Sequence, residues 1–423
     1  MNAGTPLAND FVTVCESPDA SAIYCNSPGI ARTPTGRLVA TLDLGGPGTA
    51  RLPETRALAA RESIAELDML GRIYTSDDHG RTWTHRRDFP CMHARPFCAG
   101  GRVYVLAHRR DLMVMRSDDD GATWSAPHTL TRDEYWHQAP CNVHYAHGCV
   151  YLVMERLARD ALASHASAFA PVLMRAAATD DLTDPNAWTY ASELVFQEAI
   201  ALDELDWFGV PFFHTQMDGM AATPERPLTP LGWLETNVVQ FVDPGHQWHD
   251  PSGRTFHLYM RAYTGGTGYA AVAKVTEHAD GSMATALQRT PSGRRVAFLP
   301  CPGGQMKFHI VYDEPSSLYW LLSSHATDSM TRPERLAADR FDLPNNERHR
   351  LQLHFSRNCV DWSFAGMVAV GASAVQSRHY ASMIVDGDDL HVLSRSGDAR
   401  ARSAHDVNLI TFHTVADFRS LVY

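Results

Sequence analysis

Histidine, arginine, lysine and tyrosine recur in this chain at the openings of short alternating segments, a placement suited to gripping an anion and moving a proton. The sets are His93 with Arg95, His137 with Gln138, Glu235 with Asn237, Arg261 with Tyr263, Lys307 with His309, and the run Arg378, His379, Tyr380. Arg395, His405, Asp406 and Asn408 follow near the C-terminal end. Arginine and lysine neutralise carboxylates. Histidine and tyrosine give up or accept protons. Glu235 and Asp406 could also act as a pair of carboxyl groups. His405 and Asp406 are adjacent ligand types compatible with a structural calcium or zinc ion, although two neighbours without a third ligand are more often a turn network. Plainer readings stand beside these: Arg261 closes the apolar segment Tyr259-Met260 and would serve as a surface ion-pair partner, and Tyr380 would serve as strand packing.

The basic inventory stands out against an acidic whole. The formal charge is −11, from 37 Lys+Arg and 48 Asp+Glu, which argues against a protein that tracks nucleic-acid phosphates or coats an anionic membrane. An anionic ligand therefore needs a local basic pocket. Met1 to Asp10 lacks a basic, apolar export leader, and no run of about 18 apolar residues occurs. The expectation is a soluble protein, intracellular or secreted with its leader removed. Eight cysteines without a CxxC pair indicate neither a zinc ribbon nor a disulfide framework.

Positioning these residues falls to a repeat. Ser76-Asp77-Asp78-His79-Gly80-Arg81-Thr82-Trp83 recurs as Ser117-Asp118-Asp119-Asp120-Gly121-Ala122-Thr123-Trp124, both reading S-x-D-x-G-x-T-W. Ser and Asp accept hydrogen bonds from turn amides, Gly takes a positive φ, and Trp packs between neighbouring sheets. Ser356 to Trp362 and Thr179 to Trp188 are fainter copies. A second repeat couples each strand opening to a following hydrophobic strand, in six units beginning near Ser27, His93, His137, Trp233, Gly304 and Arg378. Residues 1–423 thus read as one all-β domain, a β-propeller of four-stranded blades. Seven blades are expected, with six allowed, because Glu155 to Leu231 is long enough to hold another. Arg56 to Leu70 and Gln197 to Asp206 read as helical decorations. Asn408 to Val415 is expected to pair with Phe11 to Cys15 and close the ring.

The two boxes resemble the Asp-boxes (BNR repeats) of sialidase-like propellers. Further segments that carry the resemblance are Ser27-Pro28-Gly29-Ile30, Tyr135 to Pro140, Gly232 to Val239, Pro302 to His309 and His405 to His413. Within that group the chain looks most similar to propellers acting on rhamnose–glucuronic acid linkages and to ulvan lyases. The resemblance implies a glycan partner containing uronic acid, no required cofactor, and cleavage by β-elimination. It implies His137 as base or acid, Tyr263 or Tyr380 as its partner, and Arg261, Lys307 and Arg378 as neutralising cations beside His379. His93, Arg95, Glu235, Asn237, His309 and Arg395 would bind substrate. A glycoside hydrolase, rhamnosidase or sialidase-like, is the alternative, and a non-catalytic glycan-binding propeller a third reading. The early strand departs from true sialidases: it lacks the arginine of their Arg-Ile-Pro context.

Overall fold

Side-chain chemistry in the two boxes sets the blade hairpins. In the first, Ser76 Oγ accepts from Gly80 N at 2.9 Å, Asp78 accepts from Thr82 N at 2.9 Å and Thr82 Oγ1 at 2.6 Å, and Trp83 Nε1 donates to Gly80 O at 3.0 Å. The second repeats the pattern through Ser117, Asp119, Thr123 and Trp124 at 2.8, 2.8, 2.6 and 3.0 Å. Each box joins the third strand of a blade to the fourth, and so do both fainter copies.

The computed structural model describes residues 4–158, 165–200, 220–223, 226–228, 232–262, 268–328, 331, 335–337 and 347–423. Within these residues six blades form a ring, each listing its strands from the channel outward. Blade 1 is Tyr24–Arg32, Leu38–Gly45, Leu70–Ser76 and Thr84–Phe89. Blade 2 is Met92–Ala99, Arg102–Arg109, Asp111–Ser117 and His128–Thr129. In blade 3 the inner strand is split into Trp136–His137 and His144–Ala146, followed by Cys149–Leu157, Phe169–Ala177 and Thr189–Tyr190. Blade 4 is Trp233–Val239, Thr255–Ala262, Tyr269–Glu277 and Met283–Ala286. Blade 5 is His309–Asp313, Leu318–Ser324, Arg350–Ser356 and Ser363–Val370. Blade 6 is Arg378–Asp386, Asp389–Ser396, Leu409–Val415 and, from the other end of the chain, Val12–Glu16. The expected closure is therefore present, with Val12 opposite Phe412.

The seventh blade expected between Glu155 and Leu231 is not among the described residues. Phe169–Ala177 is the third strand of blade 3, and Met220–Thr223 pairs only with Arg226–Leu228. The first expected helix is also shorter, Pro53–Arg61. Pro53 fits its first turn, and Ser63 at φ 55° turns the chain away before the strand at Leu70. Of the second, Phe196–Ala199 forms one turn, and 201–206 lies outside the described residues.

Apolar clusters fill the wedges between blades. Tyr151 of blade 3 lies 4.4 Å from Phe256 of blade 4, centroid to centroid, and Trp320 of blade 5 meets Phe418 at 4.9 Å. The first box packs onto blade 6 in the same way: a Cβ on Gly80, at φ 84°, would sit 2.1 Å from the Phe412 ring. Gly121, also at φ 84°, would place its Cβ 3.3 Å from Val39. Gly80→Ala is therefore expected to cost about 2–3 kcal/mol, backbone strain plus overpacking, against about 1 kcal/mol for Gly121→Ala. Chemical denaturation compares the two, and equal losses would remove the packing argument.

One irregularity recurs at the channel. In four blades the inner strand is interrupted by a bulge at a non-glycine residue of positive φ: Ser27 at 45°, His93 at 54°, Glu235 at 59° and Tyr380 at 50°. Such residues cost about 1–3 kcal/mol each and concentrate at functional sites.

Candidate functional site

The bulges place Glu235 and Tyr380 at the mouth where the inner strands begin, and Arg261, on the second strand of blade 4, joins them. Arg261 Nη1 donates to Tyr380 Oη at 2.7 Å and to Glu235 Oε2 at 3.3 Å, and its Nε donates to Gln305 O at 3.0 Å. Glu235 and Arg261 are buried, whereas Tyr380 is half-buried. Two further guanidinium groups flank the phenol ring, Arg348 at 5.3 Å and Arg395 at 5.6 Å. Burial pulls Arg348 down to about 10; Tyr380 opposes the shift, while Arg261 and Arg395 add to it. Three guanidinium groups thus surround the Glu235 carboxylate, with Asp43 and Asp406 also acting on Arg395, and together they offer hydrogen-bond donors to an anionic ligand.

Opposite stands a group of imidazoles. His93 Nδ1 lies 3.0 Å from His108 Nε2, and the His93 and His137 rings are 4.8 Å apart. His137 stacks on Phe169 at 5.4 Å, with its Nδ1 4.0 Å from Glu155 Oε2. Burial, and then the neighbouring histidines, hold His93 and His108 well below the ordinary range, so both are neutral at pH 7. Glu155 is pushed up to about 8, by burial first and by the nearby Glu235 charge, although Thr236 donates to Oε1 through Oγ1 at 2.8 Å and N at 3.1 Å. It is thus a protonated acid behind an exposed-edge histidine. Asp43, which accepts from His93 N at 2.9 Å, is raised to about 6 by burial.

A pH dependence follows from Glu155. Its folded value of about 8 exceeds the ordinary 4.5, so the folded protein keeps a proton that the unfolded chain releases. Stability from this source falls as pH rises from about 4.5 to about 8. Between pH 6 and 8 Asp43 no longer contributes, since its own value is about 6. Glu155→Gln should flatten the decline of melting temperature across pH 6 to 8. Parallel slopes in the two proteins would assign the proton elsewhere.

Several expected site residues do other work. Lys307 Nζ donates to Ala381 O at 2.6 Å, Ser382 Oγ at 3.1 Å and Tyr380 O at 3.3 Å, so it holds the Tyr380 bulge rather than a ligand carboxylate. Arg378 donates to Ser377 O at 2.7 Å and Gly397 O at 2.8 Å and lies over the Phe11 ring. His379 is buried and accepts from Arg348 Nη1 at 3.0 Å, which orients that guanidinium. Asn237 bridges blades through Phe308 O at 3.1 Å and Ile310 N at 3.0 Å. Arg95 and His309 face instead a cavity of about 450 Å³ enclosed by the later halves of the inner strands. Arg395 does reach the mouth. His405 and Asp406 hydrogen-bond to each other at 2.8 Å beside Arg395, whose charge drives His405 down to about 4 and would repel a cation; no third ligand joins them among the described residues. Tyr263 lies outside the described residues.

Sequence reading missed Asp43, His108, Glu155 and Arg348. The first three share one register with Arg261 and Arg395: each pairs from the second strand with the inner-strand residue at or just before the bulge position, namely Asn26, Met92, His137, Leu234 and His379. Aligning the ends of the second strands would have found them.

No protein-family profile and no curated protein sequence matches the chain. Solved structures do. A Hadza microbial sialidase matches at 15% identity over 96% of this chain and 68% of that one, with TM-score 0.53. The Penicillium chrysogenum α-L-arabinanase solved with arabinobiose matches at 12% identity over 98% and 99%, with TM-score 0.51. Trypanosoma rangeli sialidase in complex with 2,3-difluorosialic acid matches at 12% identity and TM-score 0.53; it covers all of this chain, which spans 60% of it. These likenesses establish a sialidase-like propeller fold.

Proposed function

We propose that this propeller is a carbohydrate-active enzyme that hydrolyses a glycosidic bond next to a carboxylate-bearing sugar, a uronate being the favoured class. The observation that carries the reading is the shared Arg261 nitrogen, which holds the Tyr380 hydroxyl and the Glu235 carboxylate together. A neutral phenol approaches an anionic sugar without the repulsion a carboxylate nucleophile would meet, and tyrosine nucleophiles of this kind are used by some glycosidases. Arg261, Arg348 and Arg395 supply the carboxylate grip. Tyr380 Oη attacks the anomeric carbon and loses its proton to Glu235, while His137, backed by protonated Glu155, protonates the departing glycosidic oxygen. Water then adds to the anomeric carbon, giving a proton to His137, now the base, while protonated Glu235 returns its proton to the departing Tyr380 oxygen, releasing the sugar and the phenol.

Elimination is the second reading. The His93, His108 and His137 cluster favours it, because an imidazole beside arginines could remove the C5 proton of a uronate whose enolate the cations stabilise. The two part on their products. With a panel of rhamnose-capped, uronate-containing and sialylated glycans, hydrolysis gives sugar release without the ultraviolet absorbance of an unsaturated uronate. Absorbance would replace hydrolysis by elimination. Neither signal from any glycan would leave a binding propeller.

A further inference from the structure

A separate cluster lies on the rim where blade 6 meets blade 1. His79 is the tip residue of the first box; Asp386 ends the inner strand of blade 6 and His391 lies on the next strand. Asp386 Oδ2 is 3.1 Å from His79 Nδ1 and 3.3 Å from His391 Nε2, and the three ligand atoms all fall within 4.8 Å of one another. We propose that this is a binding site for a divalent transition-metal ion of the zinc class.

Bond lengths of about 2.0–2.2 Å in a tetrahedral zinc site set ligand atoms roughly 3.3 Å apart, close to the 3.1 and 3.3 Å that separate Asp386 Oδ2 from the two imidazoles. Two imidazoles and one carboxylate select zinc, copper or nickel over calcium and magnesium, which prefer all-oxygen shells. The outer shell is in place. Thr414 Oγ1 lies 3.2 Å from His391 Nδ1, fixing the ring with Nε2 turned to Asp386. Arg32 Nε holds the other carboxylate oxygen, Oδ1, at 2.6 Å and leaves Oδ2 to the ion. The His79 side chain is 66% exposed, which leaves an entry path and room for water as a fourth ligand. The equivalent tip residue in the second box, Asp120, accepts from Thr35 of blade 1 at 2.5 Å, so box tips reach the preceding blade in both cases. Here the reach brings together ligands from two blades.

The test is titration of chelator-dialysed protein with zinc chloride by calorimetry, with metal analysis and melting curves. One zinc per chain, a higher melting temperature reversed by EDTA, and no response to calcium are expected. His79→Asn, at an exposed position whose φ of 58° asparagine adopts readily, should weaken zinc binding by at least about tenfold. No uptake by the wild type, or uptake undiminished in both His79→Asn and Asp386→Asn, would overturn the site.

Discussion

Tyr380→Phe should lower kcat by about 10⁶-fold, the scale seen when a nucleophile acting within a catalytic unit is removed. The change deletes one oxygen and its 2.7 Å bond to Arg261 and leaves the ring between Arg348 and Arg395. Glycan affinity should hold within a few-fold, because the three guanidinium groups that would grip the carboxylate remain. The stability loss should stay near the worth of one hydrogen bond to a charged group, about 1.5–3 kcal/mol. Turnover and equilibrium binding measured on the same variant separate the cases: activity retained within tenfold would remove Tyr380 from the reacting group, and lost binding would make it a ligand contact instead.

The second large effect is on folding. Arg261→Met strips the guanidinium from Glu235, which is 1% exposed, and losing one partner of a buried pair typically costs 3–5 kcal/mol. Arg348 is close enough for Glu235 to influence its ionisation, so some compensation survives and the expected loss is about 3 kcal/mol. Adding Glu235→Gln removes the orphaned charge and should restore about half of it. Denaturation midpoints for the single and double variants decide the matter. A double variant less stable than Arg261→Met alone would mean that the carboxylate is satisfied by other partners.

How much of this was legible in the residues varies with the kind of constraint. The boxes were readable because each bond in the turn demands a particular side chain, and the structure forms the same bonds in both copies. The six strand openings were readable too, since each is followed by a turn and an apolar run; they are the six blades. A seventh was expected from the length of Glu155 to Leu231, whose one faint box, Thr179 to Trp188, belongs instead to blade 3. At the site, His93, His137, Glu235, Arg261, Tyr380 and Arg395 converge as the ring geometry requires. Lys307, Arg378, His379 and Asn237 instead bond to backbone groups or to a neighbouring arginine, and Arg95 and His309 line the cavity of the later inner-strand halves. A strand opening says which residues are near the channel but not what their side chains bond to there. The bulges themselves use Ser27, His93, Glu235 and Tyr380 at positive φ, and residues of those types leave no mark in a sequence. Glu155 and Asp43 were hidden because each lies near the end of a strand, Cys149–Leu157 and Leu38–Gly45, that reads mostly as apolar core.

The closure of the ring sets the order in which this chain can be made. The outer strand of blade 6 comes from Val12–Glu16 and its neighbour from Leu409–Val415. During synthesis the first strand must therefore wait, unpaired, while the other five blades emerge. Until the last strand leaves the ribosome the growing propeller presents an open edge at each end of its arc, and such edges are templates for association with other chains. The final pairing spans nearly the whole chain, the most expensive kind of contact in loop entropy, which makes it a late and slow event. Chaperone dependence and co-translational aggregation should thus be governed by the two chain ends more than by the blades between them.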